Sequence, residues 1–120
     1  MIKNIAHENN SNEIPDIYGK VLELLNQDNS NCELMSIATI LLDPGKSSTL
    51  HYHKKMEEIY YIVEGKAEIR IEDEVQNMHS GYAILIPIGA LHQIKNTGAN
   101  TLKFISIDSP PFIEDDTYFS

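Results

Sequence analysis

Four side chains in the middle of this sequence, His51, His53, Glu58 and His92, are of the types that bind metal ions. His51 and His53 stand two residues apart in a segment that reads as a short strand, so both imidazoles project from one face. Glu58 opens the next strand, where its alternation partners Tyr60 and Ile62 suit a barrel interior, and its carboxylate faces inward with them. His92 opens a later strand directly after the turn residues Pro87, Ile88 and Gly89, which sets a third imidazole near a barrel mouth. Three imidazoles and a carboxylate suit a first-row divalent ion, and four protein ligands leave one or two positions for water, dioxygen or a substrate oxygen. Any one of these histidines taken singly reads better as an ordinary surface or core residue; the joint pattern is what favours a site.

Other candidates stand beside this set. Glu57 is a rival carboxylate, but on the strand that carries Glu58 it points outward unless a bulge exchanges the two. Tyr60 points inward next to Glu58 and is a candidate for orienting substrate, with core packing as the alternative. Glu57 and Tyr60 are thus the candidate catalytic residues. Asn96 shares a strand face with His92 and is expected to tie down a loop by hydrogen bonds. Met35, Met56 and Met78 are expected in packing roles, and Cys32 as a small core residue. His7 and His79 fall in an N-terminal arm and a turn, without partners at ligand spacing.

Strands must position these residues, and the chain from residue 34 onward is a series of them. Residues 34–42 are apolar and β-prone, 51–53 read as a short strand, and 58–63 form a strand rich in aromatic and branched residues. Residues 66–72 alternate, with Ala67, Ile69 and Ile71 on one face and Lys66, Glu68, Arg70 and Glu72 on the other. Turn residues then separate strands at 75–78, 83–86, 92–95 and 102–108. The spacing predicts an all-β fold, a compact antiparallel barrel or sandwich. Residues 14–25 read either as a short helix, weakened by Gly19, or as an opening strand. Residues 1–13 are polar and aperiodic and are read as a flexible arm preceding one domain over 14–120.

Composition bounds the function. The 120 residues suffice for one core, and no internal repeat or linker divides them. A net charge of −9, from 18 acidic against 9 basic residues, disfavours nucleic acid and anionic lipid as partners. A lone cysteine forms no internal disulfide, and no apolar run approaches the roughly 20 residues of a membrane helix. A soluble, cytoplasmic protein is expected.

Two short motifs make the chain recognisable. The first runs Gly45, five residues, His51-x-His53, four residues, Glu58, six residues, Gly65; the second runs Gly81, five residues, Pro87-x-Gly89, two residues, His92, three residues, Asn96. In both, the chain resembles the cupin superfamily, over approximately residues 32–111, and the fifteen residues between Gly65 and Gly81 are similar to the loop of compact single-domain members. The resemblance implies a small jelly-roll barrel in which His51, His53, Glu58 and His92 bind one Mn, Fe, Ni, Cu or Zn ion. It also implies that Gly65, Gly81 and Gly89 sit at tight turns. The ending from Ser109-Pro110-Pro111-Phe112 is similar to the tail of many small cupins and is expected to lie along a sheet edge or across to a second subunit. A homodimer is the expected assembly.

These readings lead to a metalloenzyme acting on a small oxygen-rich molecule. A redox ion implies dioxygenase-type chemistry and a non-redox ion isomerase or lyase chemistry. The alternative is a non-catalytic module that binds a small molecule or sugar, with or without metal.

Overall fold

The structure, a computed structural model, describes residues 2, 4–11, 13–16 and 19–120, of which 14–16 are described in backbone only. Among the described residues eleven strands follow one another: β1 (Glu13–Asp16), β2 (Gly19–Leu25), β3 (Ser36–Leu42), β4 (His51–Tyr52), β5 (Glu57–Glu64), β6 (Lys66–Ile71), β7 (Glu74–His79), β8 (Ala83–Ile86), β9 (His92–Asn96), β10 (Leu102–Ser109) and β11 (Tyr118–Phe119). Single 3-10 turns lie at Glu8–Asn10 and Glu114–Asp116.

The strands form two antiparallel sheets, one in the order β1-β2-β3-β10-β5-β8 and one in the order β11-β4-β9-β6-β7. They face each other as a jelly-roll sandwich. The all-β expectation holds, although strand pairing among the described residues does not close the sheets into one continuous barrel. Period-2 alternation decides what lies between them. On β5, Glu58, Tyr60 and Ile62 are buried while Glu57, Ile59 and Tyr61 are exposed. On β10, Leu102, Phe104, Ser106 and Asp108 point inward, opposite Leu42, Ile40, Ala38 and Ser36 of β3. From the second sheet Ala67, Ile69 and Ile94 complete the core.

Residues 14–25 are strand where described, and the helix alternative fails. Gly19 explains why: its φ is +95°, and a Cβ there would lie 2.8 Å from Leu41 O and collide with the Leu42 side chain, so the chain turns here and returns against β3. Ile17 and Tyr18, part of that expectation, lie outside the described residues. Gly65, Gly81 and Gly89 all have positive φ, as the motif implied. At Gly65 a Cβ would also press on Leu102 Cα at 3.2 Å, so the β5–β6 turn packs directly on β10.

Two packing expectations are corrected. Met35 is 56% exposed because β3 begins one residue later, at Ser36, while Met56 and Met78 are buried as expected. Cys32 is half-buried in a loop, within 3.2 Å of Ser30 Oγ, and is not a core residue. His79 closes β7 and packs edge-on against Tyr82, exposed.

The tail runs along a sheet edge of its own subunit. β11 pairs with β4, setting Tyr118 opposite Tyr52 and Phe119 opposite His51, and Lys54 Nζ lies 4.2 Å above the Tyr118 ring. Near the other end of the chain, Glu8 binds Lys103 Nζ at 2.9 Å, laying residue 8 on the outer face of β10.

Candidate metal centre

Both sheets contribute to one cluster. His51 on β4 and His92 on β9 are cross-strand partners, His53 follows β4 directly, and Glu58 reaches across from β5 of the opposite sheet. All four are buried, with candidate ligand atoms within 4.8 Å of one another. The ring centroids of His51 lie 4.2 Å from those of His92 and 5.1 Å from those of His53.

The second nitrogen of each ring fixes its tautomer. Nδ1 of His51 lies 2.6 Å from Thr49 O, that of His53 2.8 Å from Asp116 O, and that of His92 2.9 Å from Ala90 O. A carbonyl only accepts, so each Nδ1 carries the proton and each Nε2 turns its lone pair inward. Glu58 Oε1 lies 2.5 Å from His53 Nε2 and 3.5 Å from His92 Nε2. Neither contact has hydrogen-bond geometry, and His92 Nε2 is buried without a hydrogen-bond partner. Inward lone pairs beside a buried carboxylate repel one another unless a cation lies among them. An ion binding N and O atoms at about 2.0–2.2 Å holds its donors at most about 4.4 Å apart, so closure by a few tenths of an ångström suffices. The residues fit one divalent metal ion.

The electrostatics follow from burial. Burial pulls the His51 imidazole down to about 4, aided by His92. His53 feels the same burial, but the Glu58 carboxylate outweighs it and raises the imidazole. Burial would raise Glu58, yet His53 and His92 hold it well below the usual carboxylate range. Asp108, opposite Glu58 on β10, is pushed well above that range, first by burial and then by the Glu58 charge. Ser106 Oγ lies between them, 3.2 Å from Glu58 Oε2 and 3.4 Å from Asp108 Oδ1.

Of the candidate catalytic residues, Tyr60 lies inside, its ring centroid 6.1 Å from that of His92 and 4.8 Å from that of Phe104. Glu57 is on the outward, exposed face of β5, opposite Ser109, and is not brought to the cluster. Asn96 is a loop tie: its amide donates to Leu42 O and Asn100 O and accepts from Gly98 N. Three polar residues at the site went unread in the sequence. Ser106 and Asp108 were available from the parity of β10. Asp116 had no local signal: it is 1% exposed, its backbone oxygen holds His53 Nδ1, and its carboxylate accepts from the Lys54 and Lys55 N–H groups, both at 3.0 Å.

A cavity of about 470 Å³ opens beside the cluster and is lined by His53, Glu58, Tyr60, Ser106 and Asp108, with Phe112 of the tail forming part of its wall. Among the described residues no helix is long and apolar enough to cross a membrane.

Known proteins share this architecture. The chain is 28% identical to a mannose-1-phosphate guanylyltransferase of Sinorhizobium fredii over 97% of its own length, but spans 23% of that enzyme. It is 35% identical to an uncharacterised protein of Methanocaldococcus jannaschii, over 68% of this chain and 66% of the relative. The oxalate decarboxylase of Lactobacillus farciminis, solved as a formate complex, superposes with a TM-score of 0.83 and 27% identity over 94% of this chain and 34% of that one. The description "Cupin domain" matches residues 38–108, more than half of the sequence, and the chain belongs to the cupin family.

Proposed function

We propose that the protein is a metal-dependent cupin that acts on a small, oxygen-rich organic molecule, with His51, His53, Glu58 and His92 as the ligands of one divalent ion. The observation that carries this reading is the shared wall: His53 and Glu58 belong both to the cluster and to the cavity, so an ion held there faces space large enough for a small substrate. A bound redox ion supplies dioxygenase-type chemistry, and a non-redox ion supplies Lewis-acid polarisation of a carbonyl.

The chain's own residues do the rest. The carbonyls of Thr49, Ala90 and Asp116 accept from the three Nδ1–H groups and keep each Nε2 aimed inward. Ser106 engages Glu58 Oε2 and leaves Oε1 to the ion. Tyr60, 3% exposed and lining the cavity, orients the substrate and keeps water from its inner wall. Glu57, being outward, has no part in this reading.

The proposal extends to a cytoplasmic homodimer with its domain over 14–120, preceded by an arm over 1–13 that Glu8 ties to Lys103 and Glu13 joins to β1. The dimer rests on Ile59, Tyr61 and Leu85, which make an exposed apolar patch on the outer face of β5 and β8. A second reading, a non-catalytic small-molecule module, rests on the same cavity and is separated by turnover.

Elemental analysis of protein purified without chelator or affinity tag tests the centre. About one ion per chain, lost in His92→Ala while the fold persists, is the expected result. Full occupancy in that variant refutes the ligand set. Metal with no turnover across oxygen-uptake and isomerase screens selects the binding module.

A further inference from the structure

The outer part of the cavity carries carboxylates and no basic side chain. Its residues include Glu23, Asp28, Glu114 and Asp115 toward solvent and Glu58 deep inside beside His53, with no Lys or Arg among them, while Asp108 is held toward its neutral form by burial. Among the described residues none of the four outer carboxylates forms an ion pair. They are close enough to act on one another: Glu23, half-buried on β2, is raised by burial and then by the charges of Asp28 and Glu114. Its hydrogen bond is from the neutral Asn26 amide, at 2.8 Å. The 3-10 turn at Glu114–Asp116 brings two of these carboxylates to the mouth, held there because the next residue, Asp116, is anchored by the Lys54 and Lys55 N–H groups. At the inner end Glu58, 4% exposed, turns Oε1 toward the cluster without a hydrogen-bond donor.

A ligand that enters therefore passes carboxylates at the mouth with no Lys or Arg in the wall to offset them. A dicarboxylate or phosphorylated sugar places a second anionic group against this wall, with the ion as its sole counter-charge. A molecule whose oxygens reach the ion and whose far end carries an ammonium group meets complementary charge at both ends. Between them the apolar side chains of Val21, Ile40 and Phe112 suit a short carbon frame.

We propose that the substrate class of this site is a small amine-bearing molecule, cationic at its outer end, that chelates the ion through neighbouring hydroxyl or carbonyl oxygens, and that Glu23, Glu114 and Asp115 select it over anionic compounds of the same size. This rests on the metal-centre reading above and narrows it.

The test uses the full-length protein loaded with Co(II), whose visible spectrum reports exchange of its ligands. Three probes share one chelating head and differ in tail charge: 4-(2-aminoethyl)catechol, 4-ethylcatechol and 3-(3,4-dihydroxyphenyl)propionate. The expected order of affinity is cationic, neutral, anionic, with roughly 5- to 10-fold between the extremes at low salt, as two or three partly exposed charge contacts allow. The spread narrows in about 1 M salt. In a Glu114→Gln/Asp115→Asn variant, both positions being exposed, the ratio of cationic to anionic affinity falls several-fold. Equal affinities, or tightest binding of the propionate, overturn the charge selection and leave the metal centre standing. Failure of Co(II) to bind overturns the centre, and this proposal with it.

Discussion

Asp116 joins the tail to the metal centre, and Asp116→Asn separates its two roles. The carboxylate accepts from two backbone N–H groups at 3.0 Å, while the backbone oxygen, which the substitution keeps, holds His53 Nδ1. Asparagine retains one acceptor and turns an NH2 group toward the other N–H. One charge-assisted hydrogen bond, about 1.5–3 kcal/mol, is lost and the second becomes neutral and weaker, so a total of about 2–4 kcal/mol is expected. For a domain of this size that corresponds to a fall in Tm of roughly 4 °C per kcal/mol, or about 8–16 °C. If the tail also positions His53, its loosening lowers metal affinity by about 10- to 100-fold. The assay is thermal unfolding of the metal-free and metal-loaded protein beside a chelator competition for the ion. A lower Tm with unchanged metal affinity refutes the positioning of His53. An unchanged Tm refutes the clamp itself.

Other perturbations read other parts of the structure. In the metal-free protein His51 is held near 4, below the ordinary 6.5, so its neutral form is favoured by folding; stability is complete above pH 6.5 and is lost as pH falls toward 4. At pH 5 this amounts to about 2 kcal/mol, and the urea midpoint of His51→Gln should fall correspondingly less than that of the wild type between pH 8 and pH 5. Phe104→Ala removes a 1% exposed ring packed on Tyr60 and should cost about 3–5 kcal/mol in chemical unfolding. Leu85→Asp, on the exposed apolar patch, should give a monomer in light scattering; a wild type that is already monomeric refutes the dimer.

The cluster was legible because a period of two carries so much information. His51 and His53 share a face, and the parity that put Glu58 with Tyr60 and Ile62 also turned Glu57 outward, leaving only a bulge to exchange them, and exposure from Glu57 to Ile62 alternates without one. The same rule applied to β10 would have put Ser106 and Asp108 inside with Phe104. Asp116 was illegible for a different reason: it sits in an acidic stretch that reads as a solvated tail, and its partners are 61 and 62 residues earlier. β11 is two residues long, too short for any alternation to show. Residues 14–25 stayed ambiguous because their apolar positions fit both periods, and a left-handed Gly19 is a backbone fact with no side-chain pattern.

The tail's pairing with β4 also bears on how the ion exchanges. All four candidate ligands belong to β4, β5, β9 and the residue after β4, so they assemble without residues 110–119, which then close over His53 from one side. Peeling β11 and the 3-10 turn away from β4 frees His53 Nδ1 from Asp116 O and costs the second sheet only its two-residue edge strand. Loosening of one ligand by this local opening is then the expected step in metal release, and the off-rate should follow hydrogen-exchange protection at Lys54 and Lys55, whose N–H groups Asp116 holds.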